Sequence, residues 1–501
     1  MKVGYHCFAA AGSFFVYDTV TNALVETPAS VHHALEACRR KGWPPLEARS
    51  RLRSELTDRA YLEATAWLQD AGRRGMFRPY ATRDYTRVLA KDPRKELACL
   101  HGLVLGITER CNFRCRYCTY SGHYRGRRTH SEKSMTWPAL RRSLDFFLPR
   151  ATPDSWVSFY GGEPMLEWRL LTRAVRYLRD TGEPGSSMKF HLTTNGSLID
   201  DRMLDFLIEQ DGAVNISLDG PASVHDRVRQ FRGGGESFER VMRSVERIRS
   251  RSEAWYRSHV SFTCVIGRRQ DLPRVLKFFG SDDLVRDMPV RAVGLHPAID
   301  PRQAHALGLG STALDRSLEL PEAFLESLAG RNDGFGQRLF ISLFAAVFVI
   351  LAGRRVGALP PEAGLHAMCY PGAERVYVDA EGRLYVCNRI DVEDGRIGDV
   401  DRGFDYDRVH ALARFFADYC QSACQDCWAQ RLCTFCAAKA NQDGRLSVEH
   451  LASACRDARE RWKHWLRVFA YMWKREEELG VTEKKYSLHW CVEDARTSEL
   501  P

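Results

Sequence analysis

The chain has 501 residues, 44% hydrophobic and 27% charged, with 73 Lys and Arg against 64 Asp and Glu. The length is a prior for about three domains of ~150 residues, and the composition excludes a disordered or collagen-like chain. A net charge of +9 is mild for this length: it permits an acidic peptide or a phosphate as partner, and no nucleic-acid partner is expected.

Taken in chain order, the first ~90 residues begin with a hairpin-like pair of apolar runs, Ser13–Tyr17 and Ala23–Val25, around the turn-prone Asp18–Asn22 segment. Helical patterns follow over Ser30–Cys38, Leu46–Leu56 and Tyr61–Gly72. From about 100 to 300, strand-like segments alternate with amphipathic ones. The strands are predicted at Leu103–Ile107, Trp156–Tyr160, Lys189–Leu192, Val214–Leu218, Val260–Val265 and Val290–Leu295. This alternation predicts βαβ units and a parallel sheet, an α/β fold with six units rather than the eight of a full barrel. The apolar run Leu339–Leu351 is shorter than the ~20 residues that span a bilayer and reads as a buried helix. Residues ~360 to ~460 read as cysteine-rich and loop-rich. Arg459–Leu479 then reads as one long helix, with Trp462, Trp465, Phe469 and Trp473 on one face. The amino terminus lacks the pattern of a signal peptide. A cytoplasmic protein with no membrane partner is expected.

Sixteen cysteines in a chain this long point to metal ligation rather than a disulfide framework. They form two groups. Cys111, Cys115 and Cys118 make a C-x3-C-x2-C triplet directly after the first predicted strand. Three thiolates on one tight loop can ligate three irons of a [4Fe–4S] cube and leave the fourth open. A zinc site completed by His123 is the alternative. The second group runs Cys369, Cys387, Cys420, Cys424, Cys427, Cys433, Cys436 and Cys455. Cys7, Cys38, Cys99, Cys264 and Cys491 are scattered and read as small buried hydrophobes.

With Gly161-Gly162-Glu163-Pro164 after the second strand, Thr193-Thr194-Asn195-Gly196 after the third and Ser217-Leu218-Asp219-Gly220 after the fourth, the triplet resembles the motifs of radical S-adenosylmethionine (SAM) enzymes. The resemblance covers about Leu103 to Leu295 and implies a partial (β/α)6 barrel. It implies that Cys111, Cys115 and Cys118 bind the SAM-ligating [4Fe–4S] cluster and that Gly161, Gly162, Glu163 and Pro164 lie at the methionine amino group. The glycines would let backbone carbonyls approach an ammonium, and Glu163 would supply charge or fix the loop. Ser217 and Arg229 hold the positions that bind the SAM carboxylate, and an arginine fork suits that group. Tyr117 lies where the family places an aromatic near adenine. Thr194, Asn195 and Asp219 complete the expected cofactor contacts. The implied chemistry is reductive cleavage of SAM to a 5′-deoxyadenosyl radical that takes a hydrogen atom from the substrate.

The second cysteine group resembles the SPASM extension of peptide-modifying radical SAM enzymes, which carries two auxiliary [4Fe–4S] clusters. Carried over by position, Cys369, Cys387 and Cys436 would bind the first, and Cys424, Cys427, Cys433 and Cys455 the second. Two residues precede Cys436 where three are usual. Some relatives place a further cysteine where this chain has Ala363, so the first auxiliary cluster is expected to keep an open iron. Cys420 and His366 are alternative ligands, and one or two zinc knuckles at Cys424–Cys436 are the alternative chemistry.

The expected division is a winged-helix-like peptide (leader) recognition domain at 1–95, the radical SAM barrel at 96–310, a helical bridge at 311–360, the SPASM domain at 361–458, and a helix and tail at 459–501. A plain packing appendage is the alternative for the first. The expected function is thioether (Cys sulfur to carbon) crosslinking of a ribosomally made precursor peptide, with flavodoxin or ferredoxin as electron donor. Carbon–carbon crosslinking and formylglycine formation are alternatives. Sulfatase maturases carry Asp after the cysteine matching Cys387, whereas Asn388 stands here. A non-catalytic iron–sulfur or zinc scaffold is the reading from another class.

Overall fold

A computed structural model describes residues 4–124, 126–295, 299, 301–307, 309, 319–360 and 369–478. Ala363, His366, Cys491 and the tail from 479 lie outside the described residues.

Three short strands open the chain: β1 (Tyr5–Ala10), β2 (Ser13–Asp18) and β3 (Ala23–Thr27). They form an antiparallel sheet in the order β1-β2-β3. The predicted hairpin is β2–β3; β1 is additional to it. Strand alternation gives this sheet two buried faces. Cys7 and Val16 pack with Val31, Leu35, Leu52 and Leu68 of the adjoining helices. Phe8, Phe15 and Tyr17 join the main core instead. Helices Ala29–Lys41 and Asp58–Arg73 match two of the predicted stretches. Between them only Arg49–Leu52 is helical.

The predicted parallel sheet is present. Its strands are β4 (Leu100–Thr108), β5 (Ala151–Gly161), β6 (Lys189–Thr194), β7 (Ala213–Ser217), β8 (Val260–Ile266) and β9 (Val290–Gly294). All neighbours from β4 to β9 pair in parallel and in chain order. Helices Trp137–Phe147, Trp168–Asp180, Asp201–Glu209, Phe238–Arg251 and Leu272–Ser281 occupy the connections. Val157, Phe159, Phe190, Leu192, Val214, Ile216, Phe262 and Cys264 belong to the buried core. The residues alternating with them, Ser158, Tyr160, His191, Thr193, Asn215, Ser217, Ser261 and Thr263, line a cavity. One face of the sheet is therefore apolar against helices, and the other is polar and aromatic.

The cysteine-rich region is more regular than its composition suggests. It supplies β10 (Arg375–Val378), β11 (Arg383–Tyr385), β12 (Arg396–Asp399) and β13 (Gly403–Phe404). β10 pairs in parallel with β4, and β11 to β13 continue antiparallel, giving one ten-stranded sheet. Helix Tyr406–Ala423 follows, capped by Asp405, which accepts from the Arg408 amide at 3.1 Å. The long helix runs Val448–Glu478, not from Arg459, and so includes Cys455. Trp462 is buried on it, whereas Trp473, expected on the same face, is 46% exposed. The apolar run folds as helix Gln337–Leu343 and a wider π-type turn, Ala346–Ala352. No helix among the described residues is long and apolar enough to cross a membrane.

Candidate active site

The loop leaving β4 carries Cys111, Cys115 and Cys118. The Phe113 amide donates to Cys111 Sγ at 3.3 Å, the Tyr120 amide to Cys118 Sγ at 3.4 Å, and Arg229 Nη1 approaches Cys115 Sγ at 3.9 Å. Burial pushes the Cys111 thiol up to about 12, and the charge of Glu163 adds to this. Burial raises Cys115 and Cys118 as well, and the three thiols act on one another. Such thiols stay protonated until a metal supplies positive charge. Three sulfurs on one loop, with donors to each, fit a [4Fe–4S] cube.

The strand ends support this loop. The Gly162 amide donates to the Thr108 carbonyl at 2.7 Å and the Glu163 amide to that of Arg110 at 2.8 Å. A Cβ on Gly162 would stand 2.1 Å from the Arg110 carbonyl oxygen. The glycine is therefore required for close approach to the cysteine loop itself, a role the motif alone did not indicate. Glu163 is buried and accepts from the Thr194 hydroxyl, the Asn195 amide and the Met165 amide at 2.7, 2.7 and 3.0 Å. Of the two roles expected for Glu163, these contacts are those of a group that fixes the loop.

Asp219 is likewise fully buried. It accepts from Arg229 Nε at 2.9 Å, from the Tyr117 hydroxyl at 2.5 Å and from the Val265 amide at 2.8 Å. Tyr117 and Arg229 are thereby oriented from behind. The cavity, about 540 Å³, is lined by Tyr117, Gly161, Gly162, Thr194, Asn195, Ser217 and Arg229. Glu163, Pro164 and Asp219, expected among the cofactor contacts, are outside its lining.

The same cavity reaches Cys369, Cys387 and Cys436. Cys387 terminates the β10–β11 hairpin region, and burial pushes its thiol up to about 11, with Cys436 adding to the shift. Burial raises the Cys369 thiol too, with Glu374 and then Cys436 adding to the shift. The remaining four lie together elsewhere. Cys433 is pushed up to about 12, first by burial and then by Cys427, Cys455 and Cys424. Cys420 is buried one turn before Cys424 and raises the Cys424 thiol by a side-chain hydrogen bond. Among the described residues, no three His, Cys, Asp or Glu side chains converge as ligands of one metal ion. A cube, whose thiolates bind different irons, does not require that.

The motifs did not reveal Trp156, Tyr160, His191, Arg291 or Arg375, all of which line the cavity, as does Asn388, which the spacing after Cys387 singles out. A signal for the first three was present: they alternate with core residues along β5 and β6. Burial lowers His191 to about 4, so it is neutral near pH 7.

Residues 105–278 match the Radical SAM superfamily. A cysteine-type anaerobic sulfatase-maturating enzyme of Clostridium novyi is 24% identical over 310 residues, covering 60% of this chain and 76% of that one. A serine-type anaerobic sulfatase-maturating enzyme of Bacteroides thetaiotaomicron is 25% identical over 157 residues. There the chain spans 38% of the relative's length, from 31% of its own. A solved structure of anSMEcpe with bound AdoMet is 21% identical, with a TM-score of 0.54, covering 79% of this chain and 98% of that one. This last likeness is one of fold. Residues 105–278 thus carry a radical SAM domain, with the SAM and [4Fe–4S] cluster that domain implies, in an enzyme homologous to the anaerobic sulfatase-maturating enzymes.

Proposed function

We propose that this enzyme modifies a peptide, forming thioether crosslinks in a ribosomally made precursor. One observation carries the reading: Cys111, Cys115 and Cys118 line the same cavity as Cys369, Cys387 and Cys436. Bound at the first set, a [4Fe–4S] cluster with SAM supplies the hydrogen-abstracting radical. Arg229 and Ser217 would hold the SAM carboxylate, and Asp219 keeps Arg229 and Tyr117 in place. Joining a C–H carbon to an S–H sulfur removes two hydrogens. One would leave the carbon as a hydrogen atom, and the other would leave the sulfur as a proton and an electron. Cys369, Cys387 and Cys436 would hold the electron's acceptor at the cavity wall. They are the cysteines of that group lining the cavity among the described residues; with Ala363 in the sequence where some relatives have a further cysteine, an iron there would be left open to a substrate thiolate.

Cys424, Cys427, Cys433 and Cys455 would hold a second auxiliary cluster, and flavodoxin or ferredoxin would supply electrons. The 1–95 region would bind a leader peptide. Its sheet leaves the outer edges of β1 and β3 without a strand partner among the described residues, and such edges accept an added strand.

The homology to sulfatase-maturating enzymes favours a second reading, oxidation of a Cys or Ser to formylglycine. Asn388, which lines the cavity beside Cys387, is a poor base and counts against it. Anaerobic co-expression with each short open reading frame that flanks the gene, followed by tandem mass spectrometry, separates the readings. Thioethers give loss of two hydrogens per crosslink, with cysteines protected from alkylation. Carbon–carbon links give the same loss with cysteines free. An aldehyde trapped by a hydrazide would establish the maturase reaction instead.

A further inference from the structure

Two adjacent arginines on the loop after Cys118 belong to none of the cofactor motifs. Arg127 and Arg128 both reach Asp391, four residues beyond Cys387. Arg127 Nη2 lies 2.5 Å from one carboxylate oxygen and Arg128 Nη2 2.6 Å from the other. The Arg127 and Asp391 side chains are 2% and 4% exposed, and Arg128 is 13% exposed. Arg127 also donates to the main-chain carbonyls of Arg389 at 3.0 Å and Asn388 at 3.4 Å. It therefore grips the backbone directly after Cys387.

Arg128 extends the contact. It lies 3.9 Å from Asp379 and 4.5 Å above the Tyr377 ring, with Tyr120 and Tyr385 each at 5.8 Å. Tyr120 follows Cys118 by two residues, and Tyr385 precedes Cys387 by two. The Tyr120 and Tyr377 hydroxyls are 3.5 Å apart. Apart from Tyr120, every side chain in this group that the arginines contact comes from the Cys387 side of the cavity.

Buried charges of this kind add little net stability over apolar packing; their use is to specify one arrangement. Here the arrangement is the separation of two cysteine loops facing one cavity. We propose that Asp391 is a positioning residue that, through Arg127 and Arg128, fixes the Cys387 loop against the Cys111–Cys118 loop at one defined distance. The proposal rests on the reading that both loops hold clusters.

The test uses the full chain, reconstituted anaerobically, reduced with dithionite and given SAM without peptide. Pulsed dipolar EPR reads the spin–spin interaction between the SAM-site cluster, identified by its shift on SAM addition, and the auxiliary clusters. Iron content and 5′-deoxyadenosine formation are read on the same samples. Asp391→Asn is expected to keep its iron and its SAM cleavage while the narrow spin–spin distance distribution broadens. Asp391→Glu, which keeps the charge, is expected to restore part of the narrow distribution. If Asp391→Asn loses iron, Arg128→Lys takes its place, since it keeps the charge but loses the planar fork over Tyr377. An unchanged distribution in an iron-replete variant overturns the proposal. Absence of 5′-deoxyadenosine from the unsubstituted enzyme would instead sink the radical reading on which it rests.

Discussion

The two cysteine regions gather thiols by opposite routes. Cys111, Cys115 and Cys118 lie on one loop between β4 and the helix Trp137–Phe147, and backbone amides within that loop already point at two of the sulfurs. The second group is assembled from distant pieces: the segment before β10, the end of β11, the loop after helix Tyr406–Ala423, and the third turn of the long helix. Local spacing specifies the first site; tertiary pairing specifies the second. The first should therefore tolerate disturbance elsewhere, and the second should depend on β10 staying paired with β4.

The largest expected effect isolates the first region. Replacing Cys111, Cys115 and Cys118 by Ala should abolish 5′-deoxyadenosine formation and remove about four irons per chain, one cube, while the auxiliary irons remain. Product analysis by liquid chromatography and an iron assay check this. SAM cleavage surviving the triple change would remove the site assignment.

A smaller effect is expected behind the cavity wall. Arg229→Lys keeps the charge and loses the fork that faces both Asp219 and the cavity. SAM affinity should fall about tenfold, ~1.4 kcal/mol, as measured by equilibrium dialysis. An unaltered affinity would show that Arg229 serves Asp219 alone.

The smallest effect concerns the segment that braces the cysteine loop. Burial raises the Glu163 carboxyl to about 7 from an ordinary 4.5, against hydrogen bonds from Asn195, Thr194 and Met165 that lower it. The folded chain then holds this proton more tightly than the unfolded one. Its contribution to stability is fully present below pH 4.5 and is lost as pH rises through 7. In the cluster-free protein, Glu163→Gln should flatten the dependence of Tm on pH across that window. An unchanged slope would mean that Glu163 is not the group responsible.

The same contrast explains what was legible in the sequence. The six parallel strands and the first triplet could be read because alternation and short spacings are local. Trp156, Tyr160 and His191 were visible only as inward positions of strands already recognised. Strands β10 to β13 escape the sequence pattern because they are two to four residues long, and β10 joins the large sheet only through a partner far away in the chain, as Tyr377 does with Val104. The sequence pattern begins the long helix at Arg459 because the cysteine-rich stretch before it reads as loop. Ser447, whose hydroxyl accepts from the His450 amide at 3.3 Å, marks its actual beginning. Asp391 carries no spacing signal, since its partners Arg127 and Arg128 lie more than two hundred residues away in the chain.

One radical SAM centre and two auxiliary centres are proposed to share this chain. Mössbauer spectroscopy with an iron assay, on the anaerobically reconstituted full chain and on its Cys424→Ala/Cys427→Ala variant, tests this most directly. Three [4Fe–4S] clusters, about twelve irons, are expected in the unsubstituted chain and about eight irons in the variant. About four irons in both, or zinc held at Cys424, Cys427, Cys433 and Cys436, would contradict the proposal.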